Sequence, residues 1–412
     1  MIIVVIWVIK KYLLILIFII SFPLSVFASE GSLVKVGNNY YDNLMDAIKN
    51  VGSNETITLI SNIKLRETLL INKTVKINLN GYDITGPEAV FKVQGGTLHL
   101  TGKGKVYETN PNYGAIMVYG SGNQNDTKYS VVKVDKEVYL EGWSGIFITH
   151  ESLKAYGILV NFDGIINAVN DTNGSTGIGI YVNGNIKHGS NYPIVNVGGH
   201  AKITSTGNGI YMAGYTELNV NGGYIQGDEA AIGIKSGILN VNNGTIISTG
   251  SDETPTGGNN NGINASGTAI QIESNPNYAG NMKIRIKDGL IKSKNSYALY
   301  EYIGKGNNSL VTTFNISNGQ FESGKNNFYL SNQFKEKHPY FIEGGLFTSD
   351  PEEFLYPGYN AIINKNNLYE VSMATFSQTS KNDNTVVNWV GYLLTIGLLL
   401  GLSVLGYKYI KK

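Results

Sequence analysis

Leu218-Asn219-Val220-Asn221-Gly222-Gly223-Tyr224-Ile225 is echoed 21 residues later by Leu239-Asn240-Val241-Asn242-Asn243-Gly244-Thr245-Ile246, with six of eight positions identical. An echo at so short a period is the signature of a repeat array. A looser form, an apolar residue, a turn closed by Gly, then another apolar residue, recurs at Ile286-Gly289-Ile291, Ile316-Gly319-Phe321 and Ile342-Gly345-Phe347, and with altered spacing at Val197-Gly199-Ile203. From Gly199 the marked glycines follow at intervals of 24, 21, 45, 30 and 26 residues. The interval of 45 is either two repeats or one that carries the insertion at residues 256–261.

Between the echoes run short alternating segments such as Gly209-Ile210-Tyr211-Met212, Ala231-Ile232-Gly233-Ile234 and Thr268-Ala269-Ile270-Gln271-Ile272. Alternation predicts strands with one buried face. No helix-length amphipathic segment separates them, which excludes βαβ units. Strands of three to five residues at this period predict an all-β parallel β-helix. A β-propeller would need blades of about 40 or more residues. Gly and Asn, 50 and 49 among 412 residues, suit coil corners because both tolerate left-handed backbone, and stacked Asn can also form ladders. Part of the Asn count reflects AT-rich codons, as does 30 Lys against 2 Arg. So many glycines argue against a helical protein, and zero Cys excludes disulfide scaffolds and thiolate chemistry.

Both ends are apolar. Residues 1–28 read as a signal peptide: Lys10 and Lys11, an apolar run from Leu13 to Ile20, Pro23, and cleavage between Ala28 and Ser29. The apolar residues 1–9 ahead of the lysines point to a start codon placed too far upstream, the other reading being an uncleaved anchor. At the far end, Trp389 to Tyr407 would span about 28 Å as a helix, near the roughly 30 Å of a bilayer's hydrocarbon. With aromatic residues at its borders and Lys408, Lys411 and Lys412 following, residues 386–407 are expected to cross a membrane and leave 408–412 in the cytoplasm. Gly397 and Gly401 have the spacing that allows weak helix dimerisation. Phe376-Ser377-Gln378-Thr379-Ser380 has the position of a sortase signal, but Ser stands where Pro and Gly are required. Membrane retention is the favoured reading, and wall attachment through Thr379 the other. With the five terminal lysines set aside, 27 Lys and Arg face 31 Asp and Glu, a balance that does not fit nucleic-acid binding.

The expected order is an N-terminal cap (29–55), β-helix repeats (56–348), a C-terminal cap (349–374) and a linker (375–385) before the membrane helix. The N-terminal cap should contain a short helix over 42–51 with an Asp cap and the apolar face Leu44, Ala47, Ile48 and Val51. A hairpin formed by Ala361-Ile362-Ile363 and Leu368-Tyr369-Glu370-Val371 should close the other end.

Val36-Gly37-Asn38, Tyr41-Asp42-Asn43-Leu44, Ile57-Thr58-Leu59-Ile60 and Val75-Lys76-Ile77-Asn78-Leu79-Asn80-Gly81 resemble the opening of right-handed, pectate-lyase-like β-helix surface proteins of Gram-positive-type bacteria. Glu343-Gly344-Gly345-Leu346-Phe347 with Tyr356-Pro357-Gly358-Tyr359 is similar to their closing unit, so the resemblance covers roughly residues 33–372. It implies a surface-displayed adhesin or structural protein, and the wider fold includes carbohydrate-active enzymes. Lyases of that fold need a calcium-binding carboxylate cluster and an Arg or Lys base. Here the only arginines, Arg66 and Arg285, stand far apart. Of the polygalacturonase pattern, Arg285-Ile286-Lys287 and His188-Gly189 match, while the N-T-D stretch and the Asp-Asp pair are missing. His99, His150, His188, His200 and His338 lack metal-ligand spacing, and Asp228-Glu229, Asp252-Glu253 and Glu352-Glu353 read as solvated loops. No catalytic residue, metal or cofactor is therefore expected. Many of the 27 tyrosines, Tyr181, Tyr211, Tyr297, Tyr300 and Tyr302 among them, lie in the coils. There they serve either as ordinary strand residues or as an aromatic surface for a glycan or protein. Adhesion or recognition is the leading expectation, with a carbohydrate-active enzyme or a passive coat of about a dozen coils as alternatives.

Overall fold

The computed structural model describes residues 31–149, 156–184, 191–252 and 267–374. They are mostly β, with parallel strands stacked in sheets as expected of a β-helix. Each coil contributes one strand to each of three stacks. The first stack runs from Thr56–Leu59 through Thr74–Asn78 and Thr97–Thr101 up to Met282–Ile286 and Val311–Ile316. A second runs from Ile63–Lys64 through Ile84–Gly86 to Gln320–Ser323 and Gly345–Phe347. These two belong to one 23-stranded sheet, because Glu217–Gly227 and Gly237–Ser248 pass through both without a break. The third is a separate ten-stranded parallel sheet from Leu69–Ile71 to Phe328–Tyr329, so the coils number ten rather than a dozen among the described residues.

The core follows from register. In the first stack Val75, Leu98, Val132, Val160, Val195, Leu218, Leu239, Ile284 and Phe314 occupy one column, coil upon coil, and all are buried. Each such side chain contributes about 1.5–3 kcal/mol by leaving water. The repeated apolar position of the sequence forms a second buried column two residues further along each strand, Val197, Val220, Val241, Ile286, Ile316 and Ile342.

The echoed glycines form a column of their own at the corner between the first and second stacks. Gly244, Gly289, Gly319 and Gly345 have φ of +116°, +114°, +118° and +117°. A Cβ on Gly289 would lie 2.7 Å from the carbonyl oxygen of Gly244, and one on Gly345 would lie 2.7 Å from that of Gly319. The left-handed backbone and the close approach each demand glycine there. Ile246 pairs directly with Ile291, so the interval of 45 is one coil with an insertion, whose residues 256–261 lie outside the described residues. Asn takes a second place besides corners. Asn161, Asn196, Asn219 and Asn240 stand in register within strands of the first stack, on the outer face.

Antiparallel pairing covers the parallel edge of the first stack at the N-terminal end and of the second stack at the C-terminal end, whereas the third sheet ends on Leu69–Ile71 and Phe328–Tyr329. Val34–Val36 pairs with Thr56–Leu59 and with Asn39–Tyr41. Helix α1, Leu44–Asn50, buries Leu44, Ala47 and Ile48. Its cap is Asn43, whose side chain accepts from the Asp46 N–H at 2.8 Å, and not the Asp42 expected from sequence. At the other end Tyr359–Ile363 and Tyr369–Met373 form the expected hairpin, and its second strand pairs with Gly345–Phe347. A helix not anticipated from sequence, α2 at Asn332–Lys337, caps the last coils. Its Phe334 packs edge-on against Phe314 at 5.0 Å between ring centroids.

Among the described residues no helix is long and apolar enough to cross a membrane. The cleavage residues Ala28 and Ser29, the sorting residues Thr379 and Ser380, Gly397 and Gly401, and the anchor residues Trp389, Tyr407, Lys408, Lys411 and Lys412 all lie outside the described residues.

Candidate functional site

The third stack departs from the expected alternation. Ile178–Val182, Ile210–Met212 and Ile270–Ser274 are buried at every position, so their outer face is covered as well as their inner one. Along that outer face one column reads Phe147, Tyr181, Tyr211, Gly233, Gln271, Tyr300, Tyr329. Gly233 divides it: a Cβ there would lie 2.5 Å from Asn208 Nδ2 and 3.2 Å from the Tyr211 ring.

On the N-terminal side of the division the rings are closed in. Tyr181 stacks on Tyr211 at 5.4 Å, Phe147 lies 4.8 Å from Tyr181, and Trp143 meets Tyr181 edge-on at 5.6 Å. Burial pushes the Tyr181 phenol up to about 12. These tyrosines are packing residues.

On the C-terminal side the column opens. Tyr300 stacks on Tyr329 at 4.6 Å with ring planes 12° apart, and Tyr297 and Tyr302 flank them at 5.7 and 6.0 Å from Tyr300. Tyr300 is buried while Tyr329 is 47% exposed, so Tyr329 presents a ring surface backed by a second ring. A groove of about 480 Å³ runs beside it, lined also by Tyr302, Asn307, Asn332 and Gln333. Burial first, then the neighbouring Tyr329 and Tyr297, raise the Tyr300 phenol to about 12, which keeps it a neutral hydroxyl at physiological pH. The buried Glu301 carboxylate accepts from Ser274 Oγ at 3.0 Å and from the Ser331 N–H at 3.1 Å, tying the groove's floor to the start of α2. Flat aromatic surface bordered by amides and hydroxyls is the chemistry that recognises a polyhydroxylated ligand. Tyr297, Tyr300 and Tyr302 belong to the tyrosines that the sequence singles out, whereas Tyr329 does not. Its neighbour Tyr300 is 29 positions away in the chain, and only the register joins them.

A second groove of about 400 Å³ lies along the Asn ladder. Here Asp135 takes His99 Nε2 at 2.9 Å, and Asp163 takes His200 Nδ1 at 2.8 Å and the His200 N–H at 2.8 Å. Each carboxylate is thus held by an imidazole of its own. The other residues weighed from sequence do not converge. Arg66 lines a groove at the N-terminal cap, and Arg285 stands between Asn240 and Asn315 in the first stack. Asp252 pairs with Lys325, and Glu353 pairs with Lys335 at 3.1 Å. Asp228 accepts from Thr249 Oγ1 at 2.6 Å, and Glu229 from Thr176 Oγ1 at 2.9 Å. His338 contacts the Val311 carbonyl, whereas His150 and His188 lie outside the described residues. Among the described residues no group of three His, Asp or Glu could hold a metal ion.

Two buried features are not legible in the sequence. Glu108, 5% exposed, has its carboxyl raised to about 7 by burial, against the pull of backbone N–H groups of Tyr113 and Trp143, with Glu88 adding repulsion. Lys235 and Glu273 form an ion pair on the covered face of the third stack, 2% and 1% exposed. Lys235 ends an alternating segment in which any outward residue would be expected to meet solvent. No family model, curated protein or solved structure matches this chain.

Proposed function

We propose that this chain is a non-catalytic, right-handed β-helix protein displayed on a bacterial surface, tethered by its C-terminal apolar segment, and that it recognises a glycan. The observation that carries the proposal is the Tyr300–Tyr329 stack beside an open, amide-lined groove. A sugar ring laid on Tyr329 would meet a rigid aromatic face, because Tyr329 is hydrogen-bonded through its backbone into the parallel sheet and rests on Tyr300. The apolar ends and the basic tail support export and tethering, and the resemblance to pectate-lyase-like surface proteins supports the setting and the handedness. The preference for recognition over catalysis rests on the dispersal of Arg66, Arg285 and the acidic pairs, and on the imidazole partners of Asp135 and Asp163.

The full chain in detergent, applied to a glycan and matrix-protein array with parallel assays for uronate double bonds and new reducing ends, tests the proposal. Glycan binding without product formation is expected. Product formation would establish the enzyme reading, a matrix protein as sole ligand would move recognition away from sugars, and neither binding nor turnover would favour a passive coat.

A further inference from the structure

The covered face of the third stack sets an amine and a carboxamide on the two oxygens of one carboxylate. Lys235 and Glu273 follow the paired residues Ile234 and Ile272 in adjacent coils. Lys235 Nζ lies against Glu273 Oε2 as an ion contact, not as an aligned hydrogen bond. The other carboxylate oxygen, Oε1, accepts from Asn275 Nδ2 at 2.9 Å. Asn275 Oδ1 in turn accepts from the Asn277 N–H at 3.1 Å. Tyr278 closes the group, with its hydroxyl 3.1 Å from Nζ and its ring centroid 4.6 Å away, and the Tyr211 ring lies 5.8 Å from Nζ on another side. Lys235, Glu273 and Asn275 are all buried.

An ion pair alone is an expensive thing to bury, since desolvation takes back much of the attraction. The added carboxamide makes the group a set of reactants. We infer that Lys235 and Asn275 become joined by an intramolecular amide bond, with Glu273 as the proton carrier.

The ammonium passes a proton to Glu273 Oε2, and the freed lone pair on Nζ attacks Cγ of Asn275. Charge building on Oδ1 is met by the Asn277 N–H, a donor already aimed at that atom. The Cγ–Nδ2 bond then breaks, and Nδ2 leaves as ammonia with a proton delivered from Glu273, whose Oε1 is its existing partner. Of the three ammonium protons, one remains on the new amide nitrogen, one departs with the ammonia and one stays on Glu273. The products are a secondary amide and ammonia, and the step needs no oxidant, metal or co-reactant. Burial limits the access of water, and the shared Glu273 carboxylate holds both side chains at one place, which reduces the entropy cost of bringing them together. The bond would rivet two adjacent coils on the sheet next to the proposed recognition groove, and it does not depend on the identity of the ligand there.

Proteolysis of the full chain followed by tandem mass spectrometry tests this directly. The peptides that contain Lys235 and Asn275 are expected to appear as one branched species, lighter than their sum by one ammonia, and as two separate peptides in Glu273→Gln. Recovery of both wild-type peptides unlinked and at full mass would overturn the inference, and that readout holds whether or not the variant folds. A branched species that persists in Glu273→Gln would overturn the role given to Glu273.

Discussion

Asn240 Nδ2 donates to Asn219 Oδ1 at 2.9 Å, and Asn219 repeats the bond to Asn196 at 3.0 Å, as Asn196 does to Asn161 at 2.8 Å. Each amide inside this ladder is donor to one coil and acceptor from the next, so a single substitution breaks two rungs. Asn219→Ala should lower stability by about 1–2 kcal/mol, seen as a lower midpoint in thermal unfolding. Asn242→Ala removes one bond, to Asn221, at an exposed site and should shift it by less than about 0.5 kcal/mol.

The glycine column makes a sharper demand. Gly289→Ala would drive Cβ onto the Gly244 carbonyl in a backbone held at φ +114° and should destabilise by roughly 3 kcal/mol or more. Gly199 heads the same glycine series in the sequence, with altered spacing to its apolar neighbours, yet it has ordinary backbone and nothing within 4 Å of where its Cβ would stand, so Gly199→Ala should be close to neutral in the same assay.

How much of this could be read in advance depends on whether the cause is local. The echo of Leu218–Ile225 in Leu239–Ile246 records a corner and two buried columns that every coil must repeat, so strands, stacking and turn glycines were legible. The cap at Asn43 lies one residue from its expected place, because Asp42 and Asn43 are both good caps and only backbone geometry separates them. Helix α2 escapes a sequence reading because it has only six residues and a single buried side chain, Phe334, too little for a periodic signal. The covered outer face of the third stack escapes it because Trp143 and Tyr278 reach it from outside its strands, and an alternating segment does not show what lies over it. Lys235, Glu273 and Asn275 meet for the same reason: the coil brings together positions about 40 apart, and no motif spans such a gap.

Glu108 makes stability depend on pH. Its folded carboxyl holds a proton up to about pH 7, whereas the unfolded chain releases it near 4.5, so between those values the folded state binds more protons. Stability should therefore fall as pH rises from 4.5 through 7 and level off above. Glu108→Gln keeps the shape without the charge and should flatten that slope, leaving the variant about 2–3 kcal/mol more stable than wild type above about pH 7. Thermal midpoints of both proteins between about pH 4 and 9 check this, and parallel curves would contradict it.

Recognition at Tyr329 is the central claim, and equilibrium titration of the array's best-bound glycan against wild type and Tyr329→Ala tests it most directly. Loss of the ring should weaken binding by about tenfold or more, roughly 1.4 kcal/mol, while Tyr113→Ala, exposed but outside the stacked column, should bind as wild type does. Equal affinity in wild type and Tyr329→Ala, or no saturable glycan binding by the wild type, would contradict the account.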